Sequence, residues 1–576
     1  MCGIAGAISF SAGQGSEDAV RKMNARQKLR GPDDEGLNLF GHAALGQRRL
    51  SIIDLSSDGH QPMSLGGLHI TFNGEIYNFE EIKKELVLRG HAFKTKTDTE
   101  VILAAYKEWG KESFSRLRGM FALALYDSEK EELILARDRY GIKPLYYAKI
   151  GEGLVFASTV AAIKESGLVE PNEDEEAKIG FLLFGSVPLP KTTFKEIRAV
   201  RAGHYLSFSK NGTEEVKYYD SLAPFLNKIS PTKKEAVSRL RELLEESVRL
   251  HLISDAPLGV FLSGGIDSSV LAILAAGQRK EPLDTLSIDF KEQKFSEKRY
   301  REGVVAQIKS RHKEYLVGKE DFGAEKENIL AAMDQPTIDG VNTYFVSRAA
   351  KEAGLKVVLS GLGSDEIFMG YHYFGRAALF RFLQKLPLAF KWPLKIFSRR
   401  NGWAKLIYLY RGRGLMNFYL SLRGLFSPAE IAEILKINES SVWDYVAKLE
   451  DSLPAKLASL HPADALSWLE VNFYMANQLL KDTDFMSMRH SIEARVPFLD
   501  HVLVEYLSSL PVSLKLSSRP KELLISAMEE ELPREVWDRP KMGFTFPMAE
   551  WLGVGRWAKA WAQIISATFY KKNEKP

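Results

Sequence analysis

The chain has 576 residues, 45% of them hydrophobic and 26% charged, a globular composition that excludes wholesale disorder and fibrous repeats. A formal net charge of +4 over that length is close to neutral and gives no support for a nucleic-acid binder. No apolar run approaches the roughly 18 residues of a membrane span, and MCGIAGAISF lacks the basic start of a secretory signal, so a cytoplasmic enzyme is expected.

Short β-branched or aromatic segments at 50–55 (LSIIDL), 68–73, 121–127, 132–138 and 144–148 predict strands. Helical stretches lie between them at 79–89 and 98–109. Strands joined by short turns predict antiparallel sheets in an α+β N-terminal domain, residues 1–208. The polar, Pro-containing stretch 209–234 reads as a linker. An amphipathic helix over 233–250 follows. Strands at 258–263, 285–290 and 356–360 then alternate with helices from about 267 and over 296–310. That alternation predicts an α/β C-terminal domain, residues 235–576, with a parallel sheet between helices and a mostly helical part beyond 371.

Cys2 is the only cysteine, so the chain makes no internal disulfide and no Cys-rich zinc site. With Met1 removed, Cys2 carries a thiol and a free α-amine on one residue. The amine can serve as base for the thiol, directly or through a water. This suits acyl transfer, in which a tetrahedral oxyanion needs donors already aimed at it. NGEIYN (73–78) offers the Asn73 amide and the unhindered N–H of Gly74. Arg49 in RRLSIID suits a carboxylate and Asp98 in KTDTEV an ammonium, the two ends of a free amino acid.

In order and spacing, MCGIAG, RGPDDEG (30–36), RRLSIIDLS (48–56), NGEIYN, TDTEVIL (97–103) and RDRYGIKPLYY (137–147) resemble the glutamine amidotransferase domain of the N-terminal-nucleophile type. The resemblance implies two antiparallel sheets between helices, and a Cys2 that cleaves glutamine to glutamate and ammonia. It implies an oxyanion hole at Asn73 and Gly74. Glutamine would be held by Arg49, Leu50, Ser51, Ile52, Ile53, Asn73, Gly74, Glu75 and Asp98. Two positions depart from the pattern. Gln47 stands where His is frequent, and Thr159 stands where a Glu is usual, with an expected effect on contacts between the domains.

LSGGIDSS (262–269) sits between an apolar strand and a helix. The N–H groups of Ser263, Gly264 and Gly265, the hydroxyls of Ser268 and Ser269, and the helix N-terminus suit an anion. The pattern is not GxxxxGK[ST]. Asp267 would repel phosphate without a cation between them, which points to Mg²⁺. SGLGSDE (360–366) sets Asp365 and Glu366 beside a second Gly turn at the carboxyl end of a strand, where ligands sit in open α/β sheets. Asp267 and Asp365 are the candidate metal ligands.

SGGxDS resembles the pyrophosphate loop of ATP-pyrophosphatases. With SIEARVPFLD (491–500) and RPKMGFTFP (539–547), the set is similar to the synthetase domain of glutamine-hydrolysing asparagine synthetases over roughly 235–552. The resemblance implies ATP at Leu262, Ser263, Gly264, Gly265, Asp267, Ser268, Ile288, Ser360 and Gly361. It implies a catalytic Lys541 facing an acyl-adenylate, with Asp334, Asp339, Arg495 and Asp500 in support. The implied enzyme is a homodimeric ligase using ATP and Mg²⁺, with aspartate converted to asparagine. Leu362 stands where some members have Glu, and Phe485 where Arg is frequent. These departures keep open another acceptor, a sugar acid or a peptide, and a cyclising synthetase of the β-lactam type.

Between Glu366 and Glu430 there is no acidic residue, while eleven Lys and Arg are interleaved with aromatics. Weak contact with an anionic membrane or a polyanion is expected over 371–429.

Overall fold

The computed structural model describes residues 2–11, 16–398, 403–540 and 546–570. In the N-terminal part, strands alternate side chains between two dry faces. Along Gly119–Asp127, Phe121, Leu123 and Leu125 face helices, whereas Ala122, Ala124 and Tyr126 face a second sheet.

The first sheet contains Gly3–Ser9 (β1), Asp34–Phe40 (β2) and Ala43–Arg49 (β3). Met63–Leu65 (β4), Leu68–Ile76 (β5), Gly119–Asp127 (β6) and Glu132–Arg137 (β7) belong to the second. Tyr146–Ile150 (β8), Gly153–Ala157 (β9) and Arg198–Ala199 (β10) return to the first, and His204–Ser209 (β11) and Gly212–Lys217 (β12) complete the second. The orders are β10-β8-β9-β1-β3-β2 and β12-β11-β7-β6-β5-β4, and the neighbouring strands are antiparallel. Helices 79–88 and 98–109 cover the outer face of one sheet; 16–26 and 160–165 cover the other. This is the expected sandwich of two antiparallel sheets between helices.

Two local expectations are corrected. Residues 50–56 form no strand. β3 stops at Arg49, whose guanidinium donates to the carbonyls of Ile53, Asp54 and Ser56 and winds the next segment around itself. A Cβ on Gly59 would lie 1.8 Å from Arg49 Nη2, so this turn needs glycine. The stretch expected as a linker carries β12, which extends the second sheet to Lys217.

The C-terminal sheet is parallel throughout, in the order β15-β14-β13-β16-β17. Its strands are Leu258–Phe261 (β13), Asp284–Phe290 (β14), Arg311–Val317 (β15), Val357–Leu359 (β16) and Glu493–Arg495 (β17). From β13 the chain runs to one side for β14 and β15, then crosses to the other for β16. The crevice at the carboxyl ends of β13 and β16 is therefore the switch point at which such sheets bind ligands. β15 opens with four polar residues, Arg311 to Glu314, at an edge, and β17 has three residues, so neither carries a strand signal.

The two parts share a continuous core. Leu50, Ile52, Tyr77 and Met120 pack with Leu240, Val496 and Phe498. Arg30–Asp484 (2.7 Å) and Arg118–Asp500 (2.9 Å) cross the same interface. Among the described residues no helix is long and apolar enough to cross a membrane.

Candidate active sites

Cys2 precedes β1 and is buried. Its backbone nitrogen donates to Asn73 Oδ1 at 2.9 Å. Asn73, on β5, is fully buried, and its Nδ2 has no hydrogen-bond partner among the described residues. Buried donors left without partners are costly, so an orphan beside a nucleophile marks a place for an absent oxygen. Gly74 has φ +151°, and a Cβ there would lie 2.0 Å from the Met120 carbonyl. Only glycine allows β5 and β6 to pair this closely beside Asn73. Burial pushes the Cys2 thiol up; an N–H from Leu50 and the charge of Arg49 oppose that rise.

Asp98 opens helix 98–109, and its Oδ2 accepts from Ile76 N at 3.0 Å. Burial pushes its carboxyl up to about 6. Glu75 is also buried and pushed well above the usual carboxylate range, chiefly by desolvation. It lies 3.5 Å from Arg495. Arg49 is held by the loop carbonyls rather than standing free, so it fixes the path of the loop that begins at Leu50, whose N–H meets the thiol. Ser51 N donates to Asp33 at 2.8 Å. Gln47 ties β3 to β5 by donating to the Phe72 carbonyl at 2.8 Å. Thr159 caps helix 160–165, whose Val160 and Ala161 N–H groups donate across the interface to Asp334 at 2.8 Å.

A cavity of about 490 Å³ opens at the β13/β16 crevice. Leu262, Ser263, Gly265, Asp267, Ser268, Ile288, Ser360, Gly361 and Asp365 line it. Gly264 does not. It sits behind the loop at φ +93°, with its carbonyl accepting from Arg539 at 2.9 Å. Ser263 Oγ accepts from Gly265 N (3.3 Å), and Ser268 Oγ accepts from Ser263 N (3.2 Å), which sets the turn before helix 266–277.

Lys521 was not foreseen. Its buried Nζ lies 2.6 Å from Asp267 and 2.8 Å from Asp365. Burial lowers its proton affinity, but the two carboxylates outweigh that and raise it. RPKELL reads in sequence as an ordinary surface helix start, and nothing local pairs it with residues more than 150 positions earlier. The two carboxylates suit Mg²⁺, which takes one or two from the protein and the rest of its shell from phosphates and water. No group of three or more metal-ligating side chains occurs among the described residues. Glu366, beside them, is pushed up to about 7 by burial and by Asp365, and accepts from Tyr371 Oη at 2.6 Å. Lys541 lies outside the described residues.

A second cavity, about 820 Å³, adjoins the first. Asn342, Leu362, Asp365, Tyr371, Leu479 and Pro520 line both. Its other walls include Phe184, Tyr419, Phe473, Tyr474 and Trp557, with Asp339, His372 and Gln478. Arg423 reaches it stacked on Tyr474 and paired with Glu470 at 2.8 Å. Of the four expected supports, Asp339 alone lines this cavity. Asp334 and Asp500 hold the domain interface, and Arg495 joins it to Glu75.

Residues 239–574 match the asparagine synthase family, and residues 1–219 match the glutamine amidotransferase domain. The chain belongs to the glutamine-hydrolysing asparagine synthetase family. It is 32% identical over 570 residues to "Asparagine synthetase [glutamine-hydrolyzing] 1" of Bacillus subtilis, covering 96% of this chain and 88% of that one. It is 29% identical over 623 residues to "Amidase chry2" of Gibberella zeae, covering 96% and 90%. Among solved structures, the glutamine phosphoribosylpyrophosphate amidotransferase of B. subtilis aligns at 17% identity and a TM-score of 0.31, covering 55% of this chain and 81% of that one.

As a member of the asparagine synthetase family, the chain has its two departures in different settings. Phe485 is buried with Val160 and Ala162, next to the Arg30–Asp484 pair. Leu362 stands between the two cavities, which Asp365 also lines.

Proposed function

We propose that this enzyme is an ATP-dependent amide synthetase that takes nitrogen from glutamine at Cys2 and delivers it to a carboxylate activated as an acyl-adenylate. The unpartnered, buried Asn73 Nδ2 beside the Cys2 nitrogen carries the first half of this reading. Once Met1 is gone, that nitrogen is an α-amine held by Asn73 Oδ1, and it takes the thiol proton. The thiolate adds to the carboxamide, and Gly74 N–H and Asn73 Nδ2 meet the oxyanion. Ammonia leaves, and water releases glutamate from the thioester. Asp98 holds the substrate ammonium.

The apolar interface formed by Leu50, Ile52, Met120 and Val496 favours passage of neutral ammonia rather than ammonium. At the second site, the Ser263–Ser268 turn holds phosphate oxygens with backbone and hydroxyl donors. Asp267 and Asp365 would hold Mg²⁺, which supplies charge neutralisation for the pyrophosphate. Lys521 positions these two carboxylates.

Aspartate is the acceptor to which the relatives' names point. The second cavity favours a larger one. At about 820 Å³ it falls in the range of roughly 300–1,000 Å³ that holds drug-sized ligands, and its walls mix aromatic side chains with Asp339, His372, Arg423 and Gln478. Pyrophosphate release with ATP, Mg²⁺, glutamine and a panel of carboxylates headed by aspartate tests the reading. Release that loses its glutamine dependence in Cys2→Ala, while persisting with ammonia, supports it. No release with any carboxylate, sugar acids and peptides included, refutes the synthetase half.

A further inference from the structure

The 371–429 segment does more than wall the second cavity at Tyr371, His372, Tyr419 and Arg423. Its outer part, helices 377–385 and 392–398 with the turns around them, packs inward through Ala377, Gln384 and Lys391. Lys391 Nζ is buried and donates to the Leu409 carbonyl. The outward face is apolar. Phe382 is 62% exposed, Phe390 70%, Trp392 60% and Trp403 58%, with Leu379, Leu388, Ile396 and Phe397 also exposed. Large apolar side chains scattered singly are ordinary; a cluster of eight within 25 residues of chain marks a contact surface.

Charge names the occupant. Exposed Arg376, Lys385, Lys395 and Arg413 border these side chains, and the sequence from 367 to 429 holds no Asp or Glu. A second copy of the chain would set this face against itself in a two-fold contact and bring like charges together. A bilayer with anionic headgroups meets both features, because apolar side chains enter the acyl boundary and Lys and Arg meet phosphates. We propose that the face formed by residues 377–398 with Trp403 seats the enzyme on an anionic membrane surface.

The test is flotation of the full chain with vesicles of phosphatidylglycerol and phosphatidylcholine in equal parts, against vesicles of phosphatidylcholine alone, at low and high salt. Glutaminase activity, which this face does not serve, reports folding. The expected result is binding to the anionic vesicles at low salt, and loss of it at high salt and on neutral vesicles. Lys385→Gln with Lys395→Gln should weaken partitioning about 25-fold, at roughly fivefold per cation near an anionic surface. Phe390→Ser with Trp392→Ser should abolish it.

Absence of wild-type binding overturns the proposal, as does equal binding to neutral vesicles or a Ser pair that still floats. An oligomer that dissociates in the Ser pair, without vesicle binding, assigns the face to a second copy and overturns it too. Vesicle binding is read without substrates, so failure of the pyrophosphate assay leaves this result standing.

Discussion

Arg495 touches both halves of the reaction. Its fully buried guanidinium donates to Glu493 at 2.7 Å and to the carbonyls of His251 and Ile253 at 2.8 and 2.6 Å, and lies 3.5 Å from Glu75. Its own carbonyl accepts Ser360 N at 2.8 Å, on the lip of the cavity at the β13/β16 crevice. Occupation of one site can therefore move the other through one residue. Opposite unit charges at this Glu75 separation attract by about 5 kcal/mol at an effective dielectric near 20. That is an upper bound, because burial drives Glu75 toward its neutral form.

Lysine keeps the charge but not the fork. Loss of two of the charge-assisted hydrogen bonds costs about 3–6 kcal/mol locally. Arg495→Lys is expected to release glutamate in excess over pyrophosphate and to raise the glutamine KM. Arg495→Ala also removes the guanidinium bonded to Glu493, at a cost of roughly 3–5 kcal/mol, and should lower the urea midpoint. The assay measures glutamate, pyrophosphate and amide in one reaction mixture. An Arg495→Lys enzyme that still forms them in equal amounts with an unchanged glutamine KM would refute the coupling argument, whatever its stability.

Three further outcomes follow from the geometry. Asn73→Ala should reduce glutaminase kcat by about 10²–10³-fold with little change in KM, as loss of an oxyanion donor does; steady-state glutamate release checks it. Asp98 has a folded pKa of about 6 against 3.8, so the native state binds more protons in that window and stability falls as pH rises through it. Asp98→Asn should therefore be more stable than wild type above pH 6, by up to about 3 kcal/mol, in urea titrations, while losing glutamine binding; the wild-type glutamine KM should itself fall as pH rises through about 6. Lys521→Met leaves Asp267 and Asp365 facing each other without their cation. It should melt lower than wild type and gain more from added Mg²⁺ in a thermal shift, and equal Mg²⁺ responses would count against the shared site.

Much of this architecture is legible because its chemistry is local. Gly74, Gly264 and Gly363 all have positive φ, and a turn that requires such backbone writes itself into adjacent residues. NGEIYN, LSGGIDSS and SGLGSDE therefore stand out, and so do the strands before them. Segment 50–56 misled because Leu50, Ile52 and Ile53 have the pattern of a half-buried strand. Their burial comes from the C-terminal domain, and their path from Arg49, both invisible to periodicity.

What the sequence hides is the partner of each charge. Asp267 and Asp365 are 98 positions apart and meet on a lysine 254 positions from the first. Glu75 meets an arginine from β17 of the C-terminal sheet. A motif supplies a charge where the backbone can present it, whereas its counter-charge comes from whichever element the fold brings near. The second cavity is built likewise, from 184, 338–342, 362–372, 419–425, 473–479 and 546–558. No local pattern fixes its size, because apart from Leu362, Asp365 and Phe546 its walls come from residues outside the quoted motifs.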